Sequence, residues 1–154
     1  MLTIHQLAAS DLALMDDLLH LFGTTFDEME TYTANKPSAA YLQRLLGGDM
    51  LIALVALKAG MVVGGLAAYE LPKFEQERSE IYIYDLAVAA NHRREGVATA
   101  LITALRTIAA QRGAYVIFVQ ADTTPEDEPA IALYSKLGQR EDVLHFDIAV
   151  SDQS

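Results

Sequence analysis

The sequence predicts an α/β domain built on a mixed β-sheet flanked by helices, and three observations carry that expectation. The stretch Glu80–Ala98 passes from a β-branched and aromatic run, through a short loop, into a helical pattern. Ahead of it, Lys58-Ala59-Gly60 joins two apolar runs as a hairpin signal. After it, another apolar run is followed by another helical pattern. A hairpin leading into strand–helix–strand–helix needs a sheet with both antiparallel and parallel neighbours, and helices to cover it. A length of 154 residues fits one domain, 1–154, with room for a sizeable core.

Each element has a local reason. Leu2 to Leu7 alternates as a first strand, and Ser10 is placed to cap a helix with Leu12, Met15, Leu18, Leu19 and Phe22 on one face. Gly23 is the expected stop. Thr24 to Asn35 mixes Phe26, Met29 and Tyr32 with Asp27, Glu28 and Glu30 without a clean period, and reads as a loop or broken helix. Pro37-Ser38 opens a short helix carrying Tyr41, Leu42, Leu45 and Leu46, closed by Gly47-Gly48. Met50–Leu57 and Met61–Tyr69 are the hairpin strands, and Leu71–Ser79 connects them to the central strand. A long helix ends at Arg112-Gly113, with a cation in its last turn and a glycine to cap it. Tyr115–Ala121 is expected as a buried strand, Pro129–Lys136 as a helix and Val143–Val150 as a last strand.

The central stretch also has the makings of an anion site. Glu80–Val88 is the strand, and Val97, Leu101, Leu105 and Ile108 mark the apolar face of the helix. Between them Arg93-Arg94-Glu95-Gly96 sits at the helix mouth. The first N–H groups of a helix have no carbonyl partner, and the peptide dipoles place partial positive charge there. A glycine lets an anion approach the backbone, where a Cβ would stand in its way.

Composition removes several functions. With no cysteine, neither disulfides nor thiolate chemistry by the protein is available. The apolar run Met50–Leu57 is too short to span a bilayer, and the opening Met1–Gln6 lacks the basic start and apolar core of a signal peptide, so a cytoplasmic protein is expected. A net charge of −10 repels nucleic acid and forgoes counterion release, while it would draw in a polycation. His5, His20, His92 and His145 form no metal-ligand spacing, so no metal is expected.

The hexapeptide Arg93-Arg94-Glu95-Gly96-Val97-Ala98, placed between strand and helix, resembles the acetyl-CoA pyrophosphate motif of the GNAT superfamily of N-acetyltransferases. Pro129–Gly138 is similar to that family's second acetyl-CoA helix, in which alanine is followed after two residues by Leu-Tyr and then by glycine. The positions where the family often has asparagine and an aromatic residue hold Asp127 and Gln139. The order of elements over nearly the whole chain also matches, which implies a GNAT fold with helices on both faces of the sheet. Within the superfamily, the runs at 72–76, 79–88, 119–122 and 145–148 closely resemble the aminoglycoside 3-N-acetyltransferases of the gentamicin-resistance type. That resemblance implies acetyl-CoA as donor and the 3-amino group of a 2-deoxystreptamine ring as acceptor. It also implies a homodimer.

Acetyl transfer to an amine makes demands that single residues can meet. A proton must leave the ammonium ion, and Asp85, a lone carboxylate in the strand Ile81–Val88, is the candidate base and acceptor contact. A bonded structural aspartate is the alternative. If the strand bulges, as the family's does, backbone N–H groups of Leu86, Ala87 and Val88 serve the thioester oxygen. The resemblance gives Tyr134 the role of hydrogen-bonding the departing thiolate; on helical spacing alone a core tyrosine is the better reading. It gives the cofactor contacts to Arg93, Arg94, Glu95, Gly96, Val97, Ala98, Asp127 and Ala130. A negative pocket for the cation would draw on Glu80, Asp85, Asp122 and Asp147. Glu126-Asp127-Glu128 also complements a helix start. An acetyltransferase for a polyamine or other small cationic amine, or a non-catalytic acyl-CoA-binding regulator, are the competing functions. The regulator would need neither Asp85 nor Tyr134.

Overall fold

The computed structural model describes residues 1–151, which divide into two compact units meeting in sequence at Gln120/Ala121. The first unit holds a five-stranded sheet in chain order: β1 (Leu2–Gln6), β2 (Leu51–Lys58), β3 (Met61–Pro72), β4 (Ser79–Val88) and β5 (Ala114–Val119). The first four strands pair antiparallel, and β5 runs parallel to β4. The parallel pair is joined through a helix, as a same-direction return requires. Its helices are α1 (Leu12–Thr25), α2 (Ala39–Gly47) and α3 (Val97–Arg112). The second unit contains α4 (Glu128–Leu137).

Two consecutive glycines in β3 show how the layers are arranged. A Cβ on Gly65 would overlap the Leu18 side chain of α1, and one on Gly64 would come within 2.6 Å of Val97 in α3. Successive strand residues face opposite sides, so α1 and α3 cover opposite faces of the sheet. The α1 face is filled by Leu7, Met15, Leu18, Phe22, Leu46, Leu51, Ala53, Val55 and Ala87. On the α3 face, Ile52, Leu54, Leu66, Ile81 and Ile83 are buried with Leu101 and Leu105. The β2–β3 hairpin turns at Ala59 (φ +52°) and Gly60 (φ +78°), a two-residue turn whose positive angles match the strand twist. Gly113, at φ +76°, closes α3 as expected.

Four expectations are corrected. Ser10 does not cap α1. Asp11 holds that position, and its carboxylate turns back to accept from the Ala8 N–H (2.7 Å) and meet His5 (3.0 Å). Gly23 does not stop the helix, which continues to Thr25; a Cβ there would sit 2.8 Å from the Met29 sulfur, so the glycine serves close packing. The strand expected at Tyr115–Ala121 is Ala114–Val119 and is not buried; among the described residues it ends the sheet, with β4 as its one neighbour. Val143–Val150 forms no strand. Its side chains are exposed, Phe146 at 76%, and among the described residues no strand pairs with it, so its alternation has no ladder to join.

Candidate functional site

Asp85 owes its position to one extra residue. Ala68 of β3 pairs with Ile83, but the next residue back, Ala67, pairs with Asp85, which leaves Tyr84 as a bulge in β4. Were Tyr84 paired in the regular ladder, Asp85 would alternate in phase with Ile81 and Ile83 and point into the α3 core. With the bulge, Asp85 lies opposite Ala67 and Ala87 opposite Gly65, on the α1 face. Leu86, opposite Leu66, returns to the α3 side.

The carboxylate is partly buried among tyrosines. The Tyr32 hydroxyl, on the segment after α1, donates to Asp85 Oδ2 at 3.1 Å. Tyr32 is wedged against Phe22 and Phe26, with ring centroids 5.9 and 6.0 Å away. Beside them Tyr84 meets Tyr69 and Tyr82 edge-on at 5.8 Å, and Tyr82 stacks flat on Phe118 at 4.7 Å. Burial raises the Asp85 pKa above the ordinary aspartate value, the Tyr32 hydrogen bond lowers it, and the Glu28 charge raises it. Among the described residues no other group hydrogen-bonds Asp85, and no fully buried side-chain oxygen lacks a partner, so Oδ1 faces solvent. A carboxylate with one oxygen held and one open is equipped to accept a hydrogen bond or a proton from a cation.

The same end of β4 offers backbone donors. The parallel pairing with β5 ends at Ile83↔Val119, while β4 runs on to Val88. The Ala89 N–H donates to Val63 of β3 at 2.8 Å. Alternation from that bond turns the N–H groups of Leu86 and Val88 away from β3, to the side where β5 has ended. Seven residues further on is the mouth of α3. Gly96 caps it at φ +80° with no capping side chain, and a Cβ there would have nothing within 4 Å. Arg94 also takes a left-handed angle, φ +64°, and Arg93 and Arg94 are exposed. Glu95 would oppose an anion, but Lys58 (3.0 Å) and His92 (3.1 Å) hold its carboxylate. These bonds lower its pKa, Lys58 contributing most. Val97 is a core side chain, buried against the position of Gly64.

The remaining candidates divide between the two units. Glu80 lies at the other end of β4 from Asp85, where it accepts from the Tyr115 hydroxyl (2.6 Å) and pairs with Lys73 (3.4 Å). In the second unit, Asp127 Oδ2 accepts from the Asp122 N–H at 2.7 Å and closes its own loop. Tyr134 and Ala130 lie one turn apart on α4. Burial, and then the Asp127 charge, push the Tyr134 hydroxyl up to about 12. Asp147 is exposed and pairs with His145 at 2.8 Å. Among the described residues no group of three or more His, Asp or Glu is placed to hold a metal ion, and no helix is long and apolar enough to cross a membrane.

Sequence reasoning missed Tyr32 and Lys58. Tyr32 stood in a segment without a period, and its link to Asp85 spans 53 residues, so only its aromatic character among acids marked it. In the sequence Lys58 marks a hairpin; its ammonium also balances the charge of Glu95 in the helix-mouth loop.

Comparison with known proteins completes the description. A family model for the acetyltransferase (GNAT) family matches residues 15–139. No curated protein sequence matches the chain. Among solved structures, an aminoglycoside acetyltransferase from an uncultured soil metagenomic sample is 68% identical, with a TM-score of 0.97, over 98% of this chain and 99% of the other. A second aminoglycoside acetyltransferase from such a sample, in complex with sisomicin, is 34% identical, with a TM-score of 0.88, over 97% of each chain. A ribosomal-protein-alanine N-acetyltransferase from Brucella melitensis biovar Abortus 2308 is 26% identical, with a TM-score of 0.74, over 97% of this chain and 99% of the other.

Proposed function

We propose that this chain, which belongs to the GNAT acetyltransferase family, is an aminoglycoside 3-N-acetyltransferase that confers antibiotic resistance. The observation that carries this reading is Asp85, turned by the Tyr84 bulge out of the aliphatic core, with one oxygen held by Tyr32 and the other open. The full-length likeness to an aminoglycoside acetyltransferase at 68% identity supports the acceptor class. The 3-amino group rests on the resemblance of the runs at 72–76, 79–88, 119–122 and 145–148.

The residues at the α3 mouth fit acetyl-CoA: uncapped N–H groups, open space where a Cβ of Gly96 would stand, and two exposed arginines suit its pyrophosphate. Acetyl-CoA supplies a thioester, whose acetyl carbon gains the amine nitrogen as the C–S bond breaks and sulfur keeps the bonding pair. Asp85 Oδ1 binds the acceptor's ammonium and takes its proton, directly or through water, so that the nitrogen lone pair is free to attack. The N–H groups of Leu86 and Val88 lie where a strand has diverged and stand as donors for developing negative charge on oxygen. Tyr134 donates a hydrogen bond to the departing sulfur. With its hydroxyl at about 12, against ~8.5 for an ordinary thiol, it keeps its proton and stabilises the thiolate by hydrogen bonding. The acidic surface of a chain with net charge −10 favours encounter with a polycation.

The test is thiol release by the purified protein with acetyl-CoA and a panel of gentamicin, kanamycin, spermidine and a peptide, with NMR of the product to locate the acetyl group. Acetylation at the 3-amino group is the expected result. Turnover of spermidine alone, or acetylation at another nitrogen, overturns the assignment, and no thiol release with any acceptor leaves the non-catalytic regulator.

A further inference from the structure

Resting on the function proposed above, we infer that Tyr32 is a positioning residue, whose hydroxyl fixes Asp85 Oδ2 and keeps Oδ1 turned toward the acceptor's ammonium. The built geometry carries this. Tyr32 lies on the wide helical turn Glu30–Ala34, and Gly23 lets that segment press against α1: a Cβ at Gly23 would come 3.4 Å from the Tyr32 Cβ. Phe22 and Phe26 hold the ring from two sides, which fixes the direction of its hydroxyl across 53 residues of chain to Asp85.

The electrostatic surroundings give this bond a task. The titratable groups around Asp85 are Tyr32 and Glu28 on the segment after α1, Tyr69 on β3, and Tyr82 and Tyr84 on β4. Burial and Glu28 both disfavour the ionised carboxylate, and Tyr32 alone favours it. The Tyr32 hydroxyl is itself held far above its ordinary value by burial and by Asp85, so it remains a donor throughout the working range. Tyr32 therefore sets both the aim of Asp85 and the pH below which it stops accepting protons.

Tyr32→Phe tests this, because it keeps the ring between Phe22 and Phe26 and removes only the hydroxyl. Its sign follows from the loss of a bond to the charged form: the Asp85 pKa rises, and the acid limb of kcat/KM for the aminoglycoside moves up by about one pH unit. The KM for acetyl-CoA stays as in the wild type. A 13C NMR titration of the Asp85 carboxyl in free protein should show the same upward move, and Glu28→Gln should show a downward one. An unmoved titration in Tyr32→Phe, or a moved titration with an unmoved acid limb, overturns the inference. Should no aminoglycoside be acetylated by the wild type, the functional reading fails on its own. The two titrations then decide whether Tyr32 governs Asp85: opposite shifts sustain it and no shifts overturn it.

Discussion

Asp85→Asn separates a working carboxylate from one that ties the strand. The asparagine keeps the shape and an oxygen for the Tyr32 hydroxyl, and removes charge and basicity. A hydrogen bond to a charged group contributes ~1.5–3 kcal/mol and a neutral one ~0.5–1.5. The ammonium contact should therefore weaken by ~1–1.5 kcal/mol, raising KM for the acceptor about 5- to 15-fold. Loss of a general base should lower kcat by ~10²–10⁴-fold, partly restored at alkaline pH, where free amine is supplied without help. Stability should move the other way. The Asp85 pKa is raised on folding, chiefly by burial, so its stabilising contribution is present below the ordinary aspartate value and lost as pH rises through the folded one. Replacing it with a neutral residue should leave Tm unchanged or higher, with the gain over wild type growing as pH rises from about 4 toward neutrality. Steady-state kinetics and thermal melts across pH read both effects on one variant. Normal kinetics with a lowered neutral-pH Tm would refute the reasoning, since that is how a strand-tying aspartate behaves.

The two ends of α3 supply a matched pair: Gly96 and Gly113 have φ near +80° and +76°, and neither has an atom within 4 Å of where a Cβ would stand. Gly96→Ala and Gly113→Ala should each cost ~1–2 kcal/mol of backbone strain and a similar few degrees of Tm, while calorimetry should find weakened acetyl-CoA binding in Gly96→Ala only. Equal affinities would remove the anion-site assignment. Tyr134→Phe should reduce turnover by ~10²-fold with acetyl-CoA binding kept, and wild-type activity should show no loss from Tyr134 at moderately alkaline pH, since its hydroxyl titrates at about 12. Turnover unchanged in Tyr134→Phe would make the residue part of the core.

Most of the sheet and the helix mouth were legible because their causes are local. The Ala59-Gly60 turn, the apolar face from Val97 to Ile108 and the Gly113 cap each follow from residues a few positions apart. Asp85 was visible as a carboxylate out of keeping with its strand. Its direction was not, since alternation alone aligns it with Ile81 and Ile83, and a bulge is a relation to the neighbouring strand. Tyr32 was hidden for the same kind of reason: its partner is distant in sequence. Ser10 and Asp11 are both good capping residues, and the bond from Ala8 that selects Asp11 depends on how the chain leaves β1. Val143–Val150 has the pattern of a strand, but a pattern supplies no hydrogen-bonding partner.

The bulge at Tyr84 makes this strand more sensitive to its register than to its spelling. The Tyr84 ring is 59% exposed and its neighbours are other tyrosines, so many side chains could stand there without disturbing the aliphatic face. Removing one codon between Ile83 and Asp85 is a different kind of change. It would close the bulge and leave Asp85 directly after Ile83, so Asp85 keeps the α1 face and Leu86 the α3 face, and only the added bend and twist of β4 are lost. A one-residue slip that drew Tyr84 into the regular ladder, sending Asp85 in among leucines and isoleucines, is the change that would take this strand out of its chemistry.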